Sequence, residues 1–239
     1  MSGSQRHISE RLKGGGTMSG RDRRSCGSAG PGIKICGLFR ECDISYVNDA
    51  QPDYAGFILN FPGSHRNVAP ERALVLRRKM KPEIKAVGVF VNQPPDLVLK
   101  IADLVNLDVI QLHGQEDDEY VQRIRDRSGI AVWKAFKVRD AAGLLEASRS
   151  SADEVLLDNG YGTGRLFDWS VLAEAEEIIR DRGFILAGGL TPDNIPDALR
   201  QFSPKIIDIS SGVETDQVKD PEKIIEAVRA VRNRSKTKT

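Results

Sequence analysis

The amino-acid sequence predicts a (β/α)8 TIM barrel built as a single domain, and three observations predict it. Eight short β-rich apolar runs alternate with eight amphipathic helical stretches. The runs recur roughly every 21 to 32 residues, and the units fill a little over 200 of the 239 residues. A doubly wound open sheet is the rival architecture. It would normally carry a glycine-rich dinucleotide fingerprint after its first strand, and Cys36-Gly37-Leu38-Phe39 is not one.

Taken in order, the predicted strands are 33–36 (IKIC), 54–59 (YAGFIL), 85–91 (KAVGVFV), 108–112 (DVIQL), 131–136 (AVWKAF), 154–158 (EVLLD), 184–187 (FILA) and 206–209 (IIDI). Each is short, rich in β-branched, aromatic or aliphatic residues, and bounded by turn formers. The predicted helices lie near 41–50, 70–80, 95–105, 117–127, 139–148, 168–181, 193–201 and 221–232. Pro70, Pro95 and Pro221 fall in first turns, where a missing N–H costs nothing. Asp168 can cap the sixth helix, and Thr191 or Asp193 the seventh.

Charge separates the barrel from its ends. Residues 1–31 carry six basic and two acidic side chains, so they hold +4 of a net +1 and leave about −3 for the remainder. With a triple glycine, many serines and few large apolar residues, this stretch cannot offset its ordering entropy and is expected to be disordered. It lacks the apolar core of a secretory signal. Its Arg- and Ser-rich, acid-poor composition also suits a transit segment, while Met18 allows an alternative start or an appended extension. The expected organisation is therefore a basic extension over 1–31, a catalytic barrel over 32–232 and a basic tail over 233–239.

Composition excludes several function classes. No apolar run approaches the ~18 residues that span a bilayer. The net charge gives no general footprint for nucleic acid. Three cysteines argue against a disulfide framework and for a reducing, cytoplasmic setting. Histidines only at 7, 65 and 113, with no Cys/His cluster, argue against a metal site.

A barrel places its chemistry at the C-terminal ends of its strands. Gly188-Gly189 after the seventh strand and Ser210-Ser211-Gly212 after the eighth are small enough to let backbone N–H groups cradle a phosphate. Cys36 closes the first strand, as either a buried structural thiol or a reactive one. Asp158 closes the sixth, and there a carboxylate must find hydrogen bonds or become a proton donor through a raised pKa. The glycine-rich loop at 160–164 could act as a lid. Arg66 is an anion clamp or a surface arginine, and His113 a site residue or a histidine that orients a loop.

In combination, KICG (34–37), SHR (64–66), QLHG (111–114), LLD (156–158), GTGRLFDW (162–169), AGGL (187–190) and DISSGVE (208–214) resemble the phosphoribosylanthranilate isomerases of tryptophan biosynthesis. The resemblance runs in order from about residue 32 to 230. It implies an Amadori rearrangement of N-(5-phosphoribosyl)anthranilate to 1-(2-carboxyphenylamino)-1-deoxyribulose 5-phosphate, with no cofactor or metal. By that resemblance Asp158 protonates the furanose ring oxygen and Cys36 removes the C2 proton. Arg66 holds the anthranilate carboxylate, and Gly188, Gly189, Ser210, Ser211 and Gly212 hold the phosphate. Asp208 contacts the sugar. The expected partner is this small phosphorylated substrate, with no nucleic acid or membrane, in a monomer or homodimer. Rival readings are a sugar-phosphate epimerase, a Schiff-base aldolase using Lys34 or Lys134, a bifunctional isomerase, and a non-catalytic phosphate-binding barrel. Lys34, two residues before Cys36, is expected to lie one pleat deeper, roughly 6–7 Å away, and to give the thiol little help.

Overall fold

The computed structural model describes residues 30–158 and 177–234. Its parallel strands are β1 (Gly32–Cys36), β2 (Tyr54–Leu59), β3 (Lys85–Phe90), β4 (Val109–Leu112), β5 (Ala131–Lys137), β6 (Glu154–Asp158), β7 (Ile185–Leu186) and β8 (Ile206–Ile209). Each pairs with the next, and β8 pairs back onto β1, so the sheet closes. Around it run α1 (Glu41–Ala50), α2 (Pro70–Lys79), α3 (Pro95–Val105), α4 (Asp118–Ser128), α5 (Ala141–Arg149), α6 (Ile195–Gln201) and α7 (Pro221–Arg234), with residues 177–180 also helical. This is the predicted TIM barrel. Among the described residues no helix is long and apolar enough to cross a membrane.

Local chemistry sets the boundaries. Pro70 and Pro95 stand at helix starts, and Pro221 opens α7. Asp117 caps α4 by accepting from the Tyr120 N–H at 2.8 Å, and Gly129 ends it in the left-handed region. Thr191, not Asp193, prepares α6: its Oγ accepts from Asn194 N–H, while Asn194 Oδ1 accepts from Thr191 N–H. β7 is shorter than the predicted 184–187 because Gly188 and Gly189 take positive φ and turn the chain out of the sheet. Three small pieces carry too few residues to show a period in the sequence. Asn67–Val68 extends the sheet beside the end of β2, Ser211–Val213 forms a 3-10 turn, and Glu214–Thr215 pairs with Val218–Lys219 in a hairpin. Most of the predicted helix 168–181, its cap Asp168, the proposed lid at 160–164 and the terminal segments 1–29 and 235–239 lie outside the described residues.

Strand alternation sorts side chains into two layers. One face of each strand packs on the helices, as Ile33 and Ile35 do on β1 and Ile207 and Ile209 on β8. The other points into the barrel, where Val87, Val109, Trp133, Leu156, Ile185 and Ile206 form an apolar plug toward the strands' N-terminal ends. Above that plug the inward positions become polar, and there the site begins.

Candidate active site

Cys36, Gln111, His113, Asp158, Asp208 and Ser210 all have inward parity, and all line one cavity of about 380 Å³ at the C-terminal mouth of the barrel. A volume in that range suits a small-molecule ligand. Arg66, Gly188, Gly189 and Ser211 complete its wall. The structure therefore brings eight of the nine predicted site residues to one cavity, from five separate strand ends. Gly212, the ninth, does not line it. An ideal β-carbon there would fall 1.8 Å from the Leu190 carbonyl oxygen, so this glycine lets the loop after β8 pack on the loop after β7.

Cys36 is buried, and the structure corrects the expectation about Lys34. Lys34 and Asp208 are register partners across β1 and β8. The fully buried Lys34 Nζ donates to both Asp208 carboxylate oxygens at 2.9 Å, and its Cε lies beside the Cys36 sulfur over Gly56, which has no side chain to separate them. The extended lysine stem thus spans the pleat that spacing alone would leave open. Burial pushes the Cys36 thiol up, and Lys34 pulls the other way without cancelling it. Burial also opposes charge on Lys34, but Asp208 and Cys36 outweigh it and hold the ammonium above the ordinary lysine range.

Asp158 faces Cys36 from the far side of the ring. Its Oδ2 lies 3.5 Å from His113 Nε2, while His113 Nδ1 lies 3.1 Å from the Gln111 amide nitrogen. If Gln111 donates, the imidazole proton sits on Nε2, facing the carboxylate. The Gln111 carbonyl oxygen is buried without a hydrogen-bond partner among the described residues. Lys134, in contrast, has outward parity. Its Nζ bonds the Gly114 carbonyl and Glu116, bracing the loop that follows β4.

Arg66 reaches the mouth from the loop after β2, where Glu214 grips it bidentately, Nε to Oε1 at 2.7 Å and Nη2 to Oε2 at 2.6 Å. Glu214 also accepts from Lys219 at 2.6 Å, and Lys219 donates to the Ser210 carbonyl at 3.0 Å. Burial favours a neutral Glu214, but Arg66 and Lys219 more than offset it and keep the carboxyl below the usual range. Glu214 and Lys219 were not read as site residues. Glu214 lay in the quoted DISSGVE stretch. Lys219 gives no local signal, because it reaches the site only by returning through the hairpin.

A family model described as N-(5'-phosphoribosyl)anthranilate (PRA) isomerase matches residues 33–230. The chain belongs to the phosphoribosylanthranilate isomerase family. One relative, the N-(5'-phosphoribosyl)anthranilate isomerase of Endomicrobium trichonymphae, is 41% identical over 208 residues, covering 85% of this chain and 99% of its own. A crystal structure of monomers generated from the dimeric phosphoribosylanthranilate isomerase of Thermotoga maritima superposes with a TM-score of 0.75 at 33% identity, over 85% of this chain and 99% of that one. A family structure in complex with reduced 1-(o-carboxyphenylamino)-1-deoxyribulose 5-phosphate gives 0.74 at 31% identity, over 85% and 99%. Seen in this family, the polar mouth of the barrel is a candidate isomerase site, and Glu214 and Lys219 stand behind its wall, bonded to Arg66 and to the Ser210 carbonyl.

Proposed function

We propose that this chain catalyses the Amadori rearrangement of N-(5-phosphoribosyl)anthranilate, with Asp158 as general acid and Cys36 as general base. The observation that carries the reading is the placement of one carboxyl and one thiol on opposite strand ends of a single cavity, in a member of this family. Asp158 gives a proton to the furanose ring oxygen, the C1–O bond breaks, and an iminium forms between C1 and the anilino nitrogen. Cys36, as thiolate, then takes the proton from C2. The electron pair of that C–H bond neutralises the iminium and leaves an enolamine, which tautomerises to the ketone. A buried thiol is a weakly ionised base near neutral pH. The iminium compensates by acidifying the C2–H bond.

Binding follows from the same wall. The anthranilate carboxylate meets the Nη1 side of Arg66, because Glu214 occupies Nε and Nη2. The 5'-phosphate sits against Gly188, Gly189, Ser210 and Ser211, with Gly212 holding the two loops together. Asp208 stands below the sugar with its oxygens committed to Lys34. A Schiff-base aldolase fits less well. Lys134 points out of the barrel, and Lys34 is held as an ammonium, whereas imine formation needs a free amine. We read the enzyme as cytoplasmic and as a monomer or homodimer.

The test is the decay of anthranilate fluorescence with substrate generated in situ. The wild-type chain should accelerate decay above the hydrolysis background. Cys36→Ala and Asp158→Asn should each lose at least about a thousandfold in kcat while keeping affinity for a phosphorylated product analogue. Near-normal turnover by either variant overturns its assigned role, and an inert wild type overturns the activity.

A further inference from the structure

The proposed base has a second residue behind it. Cys36 lies opposite Gly56 in the β1–β2 register, and the missing side chain there makes room for two groups at once. An ideal β-carbon on Gly56 would fall 2.9 Å from Cys36 Sγ and 3.1 Å from Lys34 Cε, so sulfur and lysine stem share that space. An ammonium has three N–H donors. On Lys34 two of them serve Asp208 Oδ1 and Asp208 Oδ2, and the third is taken by neither oxygen. Asp208 thereby fixes the direction of the ammonium and leaves a donor for the thiol.

We propose that Lys34 is a positioning residue for proton abstraction: clamped by Asp208, its ammonium holds the Cys36 sulfur in place and stabilises the thiolate that receives the substrate's C2 proton. The inference rests on Cys36 being the base. Lys34 itself exchanges no proton with substrate. When the thiolate is protonated it becomes the neutral thiol, and the Lys34–Asp208 pair remains charged and paired throughout. The other ionisable groups facing the thiol divide by sign. Lys219, beyond the loop after β8, and Arg66, from the loop after β2, favour the thiolate, and Asp208 on β8 disfavours it. His113 and Asp158 face it across the cavity. Lys34 is the cation that shares the space over Gly56 with the sulfur, and its charge acts on the thiol more than any of these.

A purely structural ion pair on the β1–β8 seam would also be buried and well bonded, so loss of stability does not discriminate. The thiol's titration does. The readout is thiolate ultraviolet absorbance against pH, taken as the difference between each protein and its Cys36→Ser counterpart. The variants are Lys34→Met and Lys34→Met/Asp208→Asn. The double variant leaves no buried carboxylate without its cation, so it stays informative where the single one fails to fold. In both, the Cys36 midpoint should move to higher pH. Turnover near pH 7 should fall about tenfold or more, and that deficit should narrow as pH is raised past the thiol's own titration. An unmoved midpoint in a folded variant, or a deficit equal at every pH, overturns the proposal. Full turnover by Cys36→Ala would instead remove the base assignment and leave the midpoint shift standing, so the two failures are distinguishable.

Discussion

Arg66 commits one side of its guanidinium to Glu214, and this sets what it can offer a ligand. A free arginine in a loop would sample many rotamers. Gripped at Nε and Nη2, it presents a fixed end to the cavity with much of its ordering cost already met. Glu214→Gln should therefore raise KM for substrate about tenfold and lower kcat much less, measured by the same fluorescence decay. The variant also tests linkage. The Glu214 carboxyl is held below the usual range, so its stabilising contribution is present above the unfolded-state pKa of about 4.3 and is lost as pH falls through the folded value. The difference in unfolding free energy between wild type and Glu214→Gln, about 2 kcal/mol near pH 7, should thus shrink below about pH 4. A difference that does not change with pH would mean that Glu214 is not ionised in the folded chain.

Three elements repeat one device. Asp53, Asp108 and Asp153 each stand just before an even strand and accept from a backbone N–H of the preceding odd strand: Ile33 at 2.8 Å, Ala86 at 2.7 Å and Val132 at 2.8 Å. Each is also met by an arginine from a helix, Arg232, Arg77 and Arg125 respectively. The position before β8 is Lys205, which bonds Glu154 instead. The three aspartates share no partner, so alanine at each should cost about 1 kcal/mol by denaturant unfolding, and the triple variant should lose close to the sum. A triple variant as stable as wild type would reduce the motif to surface decoration. This repeat was not visible as function or fold in the sequence, because an aspartate before a strand looks like any turn residue until register shows which N–H it meets. The strands themselves were legible. Most ended at or near the point where an apolar run met Gly, Asp or Asn, and the starts of α2 through α7 each carried a proline or an aspartate. Asn67–Val68 and the 214–219 hairpin were not, being two-residue pieces whose pairing depends on tertiary context.

Closure of the sheet is what turns scattered residues into a site. Cys36 and Asp158 are 122 positions apart in the chain and meet across the mouth only because β8 returns to β1. Position at a C-terminal strand end was enough to select Cys36, His113, Asp158 and the loops at 188–189 and 210–212 from sequence. It could not show that Lys34 and the Cys36 sulfur share the space over Gly56, or that Lys219 swings back through a hairpin, since both depend on tertiary packing. The same closure bounds what the fold requires of its ends. The first backbone bond of β1 runs from the Gly32 N–H to the Lys205 carbonyl, and Ile33 and Ile35 already sit fully buried against the helices. The match to the family starts at residue 33. Removing residues 1–29 takes away neither of these, but it does remove +4 of charge from a chain whose remainder is about −3. The truncated chain should keep kcat and KM and melt within about 2 °C of the full chain, while its isoelectric point falls to the acidic side. A large loss of turnover or melting temperature on truncation would show that the basic segment docks on the barrel and belongs to the folded unit.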